Sequence, residues 1–89
     1  MRFFYAFDST HPNLPLFDNA LLQMGIFPLM QWSDAATPTH MLREVSKPLP
    51  PIMLDLLAGQ EEGSPLLVNR RLRIDRAEDQ TILAGFGVE

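Results

Sequence analysis

Apolar residues crowd both faces of the first strand-like run of this chain. In Phe3-Phe4-Tyr5-Ala6-Phe7, Phe3, Tyr5 and Phe7 fall on one side and Phe4 and Ala6 on the other. A short run that is apolar on both sides suits an interior strand covered from above and below. Ser9 to Asn13 reads as a loop, and Asn13 is placed to cap a helix in which Pro15 occupies the first turn without breaking a hydrogen bond. Leu14, Phe17, Leu21 and Met24 recur at helical spacing, with Leu22 widening the stripe. Gly25 then stands where a left-handed stop residue belongs, and Ile26 is its apolar companion.

Phe27 to Ser33 is a second apolar run and reads as a strand, with Met30 and Trp32 on one face and Leu29 and Gln31 on the other. After Ala35-Ala36, Thr37 as N-cap and Pro38 at the first helical position predict a short helix over 38–46 that places Met41, Leu42 and Val45 together. A strand from Thr39 to Val45 is the competing reading, because that segment also alternates. Lys47-Pro48-Leu49-Pro50-Pro51 is a stiff connector, and Ile52 to Ala58 reads as a short helix closed by Gly59. The last third predicts an antiparallel hairpin: one strand from Leu66 to Ile74, a polar connection over Asp75 to Thr81, and a second strand from Ile82 to Val88. In that pairing Arg70 lies on the apolar face opposite Phe86.

The element order, β-α-β-(α)-α-β-β with a C-terminal antiparallel hairpin, resembles a thioredoxin-like α/β domain, and its details are similar to the glutaredoxin branch. Tyr5 of the aromatic first strand is followed by His11-Pro12-Asn13-Leu14, which stands where that family carries Cys-Pro-x-Cys, and Gly25-Ile26 ends the helix at the family's usual distance. Ser64-Pro65-Leu66-Leu67-Val68 resembles the family's proline, usually cis, before its third strand. Leu83-Ala84-Gly85-Phe86 resembles the end of its fourth. A second registration, on Ala36-Thr37-Pro38-Thr39 and Leu49-Pro50-Pro51, is similar to the KaiB clock proteins of the same superfamily. The chain departs from the glutaredoxin pattern in lacking both motif cysteines, in a longer segment between Gly25 and Pro65, and in leaving little room for a helix after Gly87. Phe17, Leu21-Leu22, Gly25 and Pro28, with Arg71-Leu72-Arg73, also resemble the first half of the chorismate lyase and UTRA sensor pattern.

Composition narrows the chemistry. The 89 residues read as a single small α/β domain, 1–89, with a core but little stability to spare, so association with a second copy through an apolar face is a reasonable expectation. A net charge of −4 argues against a general nucleic-acid surface. The absence of cysteine removes disulfides, thiol redox chemistry and thiolate metal sites. No apolar run approaches the ~20 residues of a membrane span. Met1 to Asp8 is too short and too soon charged for a signal peptide. The expectation is a cytoplasmic protein without membrane attachment.

Candidate sites are few. His11 could orient a ligand or exchange a proton at the strand–helix junction, though a histidine there is more often an exposed loop residue. Arg70, Arg71 and Arg73 form a basic cluster in which Arg70 could clamp an anion. The blander reading is a surface strand face balanced by Asp75, Glu78 and Asp79, with Arg70 stacked on Phe86 or placed by a bulge. Trp32, the sole tryptophan, is either core or an interface anchor. No residues fall at metal-ligand spacing, and no nucleophile has an identifiable base, so neither a metal, a cofactor nor a catalytic residue is expected. The expected function is a non-catalytic, non-redox thioredoxin-like domain that binds a protein partner or small ligand through His11, Pro12, Asn13, Pro65 and Arg70, with Trp32 at an interface. The alternative is a small-ligand sensor or enzyme of another α+β fold using His11 and an arginine in a cleft.

Overall fold

The structure, a computed structural model, describes residues 1–53 and 68–88. In chain order these residues form β1 (Phe3–Asp8), α1 (Leu14–Gln23), β2 (Pro28–Ser33), β3 (His40–Val45), the short α2 (Pro51–Met53), β4 (Val68–Arg73) and α3 (Ala77–Gly85). The strands make one four-stranded sheet in the order β2-β3-β1-β4 with every pairing antiparallel. Because β3 inserts between β1 and β2, the β1-α1-β2 crossover is of the split type, and the molecule is a small α+β domain.

β1 is central, as its two apolar faces require. Its odd-numbered residues look toward α1: Tyr5 and Phe7 pack with Phe17, Leu21, Ile26, Val45, Leu49 and Met53. Its even-numbered residues look the other way: Phe4 and Ala6 pack with Leu42, Leu72, Leu83 and Val88. The sheet is therefore covered twice, by α1 and the segment around Leu49–Met53 on one face and by α3 on the other.

α1 begins and ends as its residues dictate. Asn13 occupies the N-cap position, though its side chain makes no capping bond, and proline stands in the first turn. At the other end Gly25 adopts φ +74°, the Gly25 amide donates to the Leu22 carbonyl, and the Ile26 amide donates to the Leu21 carbonyl. That is a Schellman stop, locked by the buried pair Leu21 and Ile26. The inward stripe is narrower than expected: Phe17 and Leu21 are buried, whereas Leu22 and Met24 are exposed.

Several expectations are corrected. Residues 40–45 are a strand, not the helix predicted over 38–46. Thr37-Pro38 serves a turn in which the His40 amide donates to the Thr37 carbonyl, and β3 is then paired on both sides, by β1 and β2. Sheet pairing on two edges outweighs a local capping signal. Residues 77–85 are a helix, so the expected second hairpin strand, and with it the pairing of Arg70 with Phe86, does not form. α3 carries Glu78 and Asp79 in its first turn, favourable to its dipole, and ends in a second Schellman stop: Gly87 at φ +93°, with the Val88 amide donating to the Leu83 carbonyl. The thioredoxin-like order with its C-terminal hairpin is thus not the arrangement that the described residues adopt. β4 also carries an irregularity: Ala6 pairs with Arg70 but Phe7 with Val68, so Asn69 is the extra residue of a bulge. The bulge puts Val68 and Leu72 at register positions on opposite faces, where uninterrupted alternation had placed them together. Of the helix expected over Ile52 to Ala58 only the start is described. Gly59, the 60–63 loop, Pro65 and the beginning of the strand at Leu66 lie outside the described residues.

Candidate functional site

The described residues enclose a cavity of about 280 Å³ between the C-terminal half of α1 and the edge of the sheet at β2 and β3. Leu21, Leu22, Ile26, Pro28 and Val45 make its apolar walls, and Tyr5, Asp18, Gln31 and Arg43 its polar part. A small, mostly apolar pocket with a few converging polar groups is the usual form of a ligand site.

Arg43 organises the polar part. It sits on the α1 face of the central strand β3, opposite Tyr5 in β1 and Gln31 in β2. Its Nη1 donates to the Tyr5 hydroxyl at 2.7 Å and to Asp18 Oδ1 at 2.6 Å. Its Nε and Nη2 both donate to Gln31 Oε1, at 3.1 and 3.0 Å. The guanidinium carbon lies 4.5 Å from the Phe7 ring centroid, within cation–π range. The side chain is only 12 % exposed while Asp18 is 40 % exposed, so the ion pair reaches from the pocket floor to its mouth. Asp18 is the only charged residue of α1, and it follows the buried Phe17.

A guanidinium has five N–H groups, and the four donations above leave one Nη2 N–H without an acceptor among the described residues. The Tyr5 hydroxyl accepts from Arg43 and donates to no described residue. Burial pushes the Tyr5 phenol up to about 12, with the Arg43 charge and its hydrogen bond pulling part of the way back. Tyr5 is therefore a neutral hydrogen-bond donor at physiological pH. The pocket floor offers two donors, the open oxygen of Asp18, and no net charge, because Arg43 and Asp18 neutralise each other.

The described candidates from the sequence lie apart from one another, and Pro65 lies outside the described residues. His11 is buried, not exposed: its amide donates to the Asp8 carbonyl, and its Nδ1 accepts from the Asn13 amide at 3.1 Å. It ties the β1–α1 loop to itself, alongside Asp8, which accepts from both the amide and the hydroxyl of Thr10. Those two bonds hold the Asp8 carboxyl below its ordinary range. Pro12 is exposed and Asn13 half-buried. Arg70 is placed by register beside Ala6, on the α3 side of the sheet. Arg71 donates to the Leu49 carbonyl, and Arg73 pairs with Asp75. His11 is not among the described residues that line the cavity, and the side chain of Arg70 lies outside what the structure describes. Trp32 is half-buried near the Phe4 ring, their centroids 6.1 Å apart. No group of three or more metal-ligating side chains occurs among the described residues, and none of their helices is long and apolar enough to cross a membrane. No family model matches this chain, and no curated protein or solved structure matches it significantly.

The residues that sequence reasoning missed are Tyr5, Asp18, Gln31 and Arg43. Signals were present: the sole tyrosine in a run of phenylalanines, and a single charge beside the buried stripe of an otherwise uncharged helix. Both lacked a partner for as long as residues 38–46 read as a helix.

Proposed function

We propose that this chain is a non-catalytic binding domain whose cavity under α1 holds a small neutral group with an apolar body and one hydrogen-bonding end. The observation that carries this reading is Arg43, fixed by Tyr5, Asp18 and Gln31 at the floor of an apolar-walled cavity. An unneutralised arginine would favour a carboxylate or phosphate. Here Asp18 already occupies the guanidinium, so an anionic ligand would have to displace it. A phenol, alcohol or amide meets no such obstacle, since it can accept from the remaining Nη2 N–H or the Tyr5 O–H while its hydrocarbon part replaces water against Leu21, Leu22, Ile26 and Val45.

The resemblance to thioredoxin-like domains contributes only the junction from β1 through His11 to α1. Without cysteines that junction is suited to holding a shape rather than reacting. The alternative, in which His11 and an arginine work together in a cleft, would need a site other than this cavity, since His11 is not among the described residues that line it.

A fragment screen by protein-observed NMR tests the proposal. Small phenols and aliphatic amides are expected to shift the amide signals of Leu21, Leu22, Ile26, Gln31 and Arg43, and matched carboxylates to shift them less. Arg43→Met should abolish the preference for fragments that carry an acceptor. Shifts that cluster away from these residues, or a stronger response to carboxylates, would refute it.

A further inference from the structure

Among the described residues, the exposed rim of the sheet at β2 is an open edge, since β2 pairs only with β3. Soluble proteins protect such edges with charge, proline or distortion. Here Phe27 to Ser33 carries no charged residue, and its one proline stands at the first position of the strand. Phe27, Leu29 and Met30 are 52 %, 61 % and 58 % exposed. The one irregularity, between Pro28 and Met30, makes Leu29 the bulged residue and leaves Met30 to Ser33 in regular register with β3.

We infer that this edge pairs with β2 of a second copy of the chain, antiparallel, about a two-fold axis beside Gln31. Backbone direction selects the register. The Asp34 amide donates to the His40 carbonyl, so Asp34 turns its polar groups toward β3. Alternation along the regular stretch Met30 to Ser33 then turns those of Trp32 and Met30 toward β3 as well, and those of Ser33 and Gln31 outward. A two-fold perpendicular to the sheet keeps each face on its own side, so the axis must pass beside a residue and not between two. Centred on Gln31, the outward groups of Gln31 meet their own copies, and Ser33 lies opposite the bulged Leu29. Met30 then lies opposite Trp32 of the second copy, on the face where Trp32 packs against Phe4. Centring on Met30 would bring Ser33 opposite Phe27, whose amide and carbonyl are already engaged with Ser46.

Charge permits a second copy at this edge, and the self-matching register makes it the occupant. The chain carries a net −4, which opposes self-association through most of its surface. The charges of the two strands beside this edge are internally paired, Arg43 with Asp18 on one face and Arg2 with Glu44 on the other, and Asp34, which follows the strand, would lie opposite Pro28 of the second copy rather than opposite its own counterpart. Two such edges can meet without placing like charges opposite each other, whereas a basic partner would find only scattered carboxylates, Asp18 already paired with Arg43. The dimer would also place the two cavities side by side on one face, each with its Gln31 wall at the axis. The inference does not depend on what the cavity holds.

The absence of cysteine from this chain makes the test direct. Gln31→Cys sets two thiols opposite each other at a Cα separation of about 5.5 Å, within disulfide range. It is expected to cross-link under mild oxidation, whereas Thr10→Cys, in an exposed loop, is not. Sedimentation equilibrium of the unaltered chain should show a monomer–dimer equilibrium. Met30→Lys should weaken it by roughly tenfold or more, because Met30 is exposed in the monomer and desolvated in the dimer. Ser33→Pro removes an outward N–H and no bond within the monomer's own sheet. It should weaken the dimer similarly, with tryptophan emission reporting that the fold is kept. A chain that stays monomeric at the highest attainable concentration overturns the inference. So does a dimer that persists in Met30→Lys and gives no cross-link at position 31.

Discussion

At the scale of single residues, Tyr5 is the most informative group because it is the sole tyrosine and its phenol is held neutral by burial. An unfolded chain ionises it near the ordinary value of about 10, and the folded chain at about 12. A raised acid pKa means that its contribution to stability is fully present below the unfolded value. That contribution is lost as pH climbs through the folded one. The total at stake is on the order of 2–3 kcal/mol. Ultraviolet absorbance of the phenolate should titrate well above pH ~10 in the native protein, and urea midpoints should fall over the same window. Tyr5→Phe is expected to remove that part of the fall. Arg43 acts on the same group in the opposite direction. Arg43→Met should move the phenol further up, since the nearby charge and hydrogen bond are what lower it. It should also destabilise the fold by about 1–3 kcal/mol through the partners it leaves unbonded. A phenol that titrates unchanged in Arg43→Met would contradict the arrangement at the pocket floor. The loss of reading at this scale came from partners, not from residue types. Tyr5 and Asp18 stand out in the sequence, but only the register Tyr5 to Arg43 and Gln31 to Arg43 makes a site of them.

At the scale of elements, the two long helices end alike but were not equally legible. Gly25-Ile26 reads as a stop because the preceding apolar positions recur at helical spacing and nothing else fits them. Gly87-Val88 is the same device, with Leu83 and Val88 buried as Leu21 and Ile26 are. It was obscured because Ile82, Ala84, Phe86 and Val88 also alternate at a period of two. Short apolar runs support both periods, and tertiary packing decides between them. In α3 the deciding contact is the even-numbered face of β1, which needs cover that a fifth strand could not provide. The stop at Gly25 carries a measurable consequence. A Cβ there would meet only Lys47 Nζ at 3.6 Å, an ordinary contact, so space does not forbid alanine. The φ of +74° does disfavour it. Gly25→Ala should therefore cost about 1–2 kcal/mol of backbone strain alone, visible as a drop of several degrees in Tm. Gly85→Ala, at a helical position with open space around it, should be neutral or mildly stabilising. A smaller loss at Gly25 than at Gly85 would mean that the stop is not formed.

At the scale of the whole molecule, the sheet is a plate with apolar residues on both sides, and its two covers differ in how they are attached. α1 is held within the chain, between β1 and β2, and its loop is pinned where the Ser9 amide and hydroxyl both reach the Thr39 carbonyl. α3 comes after the last strand, joined to β4 by a short turn over residues 74–76. Its attachments near that turn include the buried Asp79, whose Oδ2 accepts from the Arg73 amide at 3.0 Å. The apolar alternation of β1 foretold that both faces would be covered; it could not say by what, because the cover for the second face lies at the far end of the sequence. Removing residues 76–89 leaves every strand in place but uncovers Phe4, Ala6, Leu42 and Leu72 together. A contiguous apolar face of that kind drives association or loosens the packing above it. The truncated chain is expected to bind a hydrophobic dye strongly and to aggregate. Trp32 emission should shift to the red as the Phe4 side of the sheet meets water. Leu83→Ala is the milder form of the same experiment, with an expected loss of about 2–5 kcal/mol from a domain whose total stability is of order 5–15 kcal/mol. Its effect should appear first as faster hydrogen exchange in α3, while β1 and β3 keep their protection, because a terminal element can detach without opening the α1 side. Uniform loss of protection across the sheet would instead show that the two faces stand or fall together.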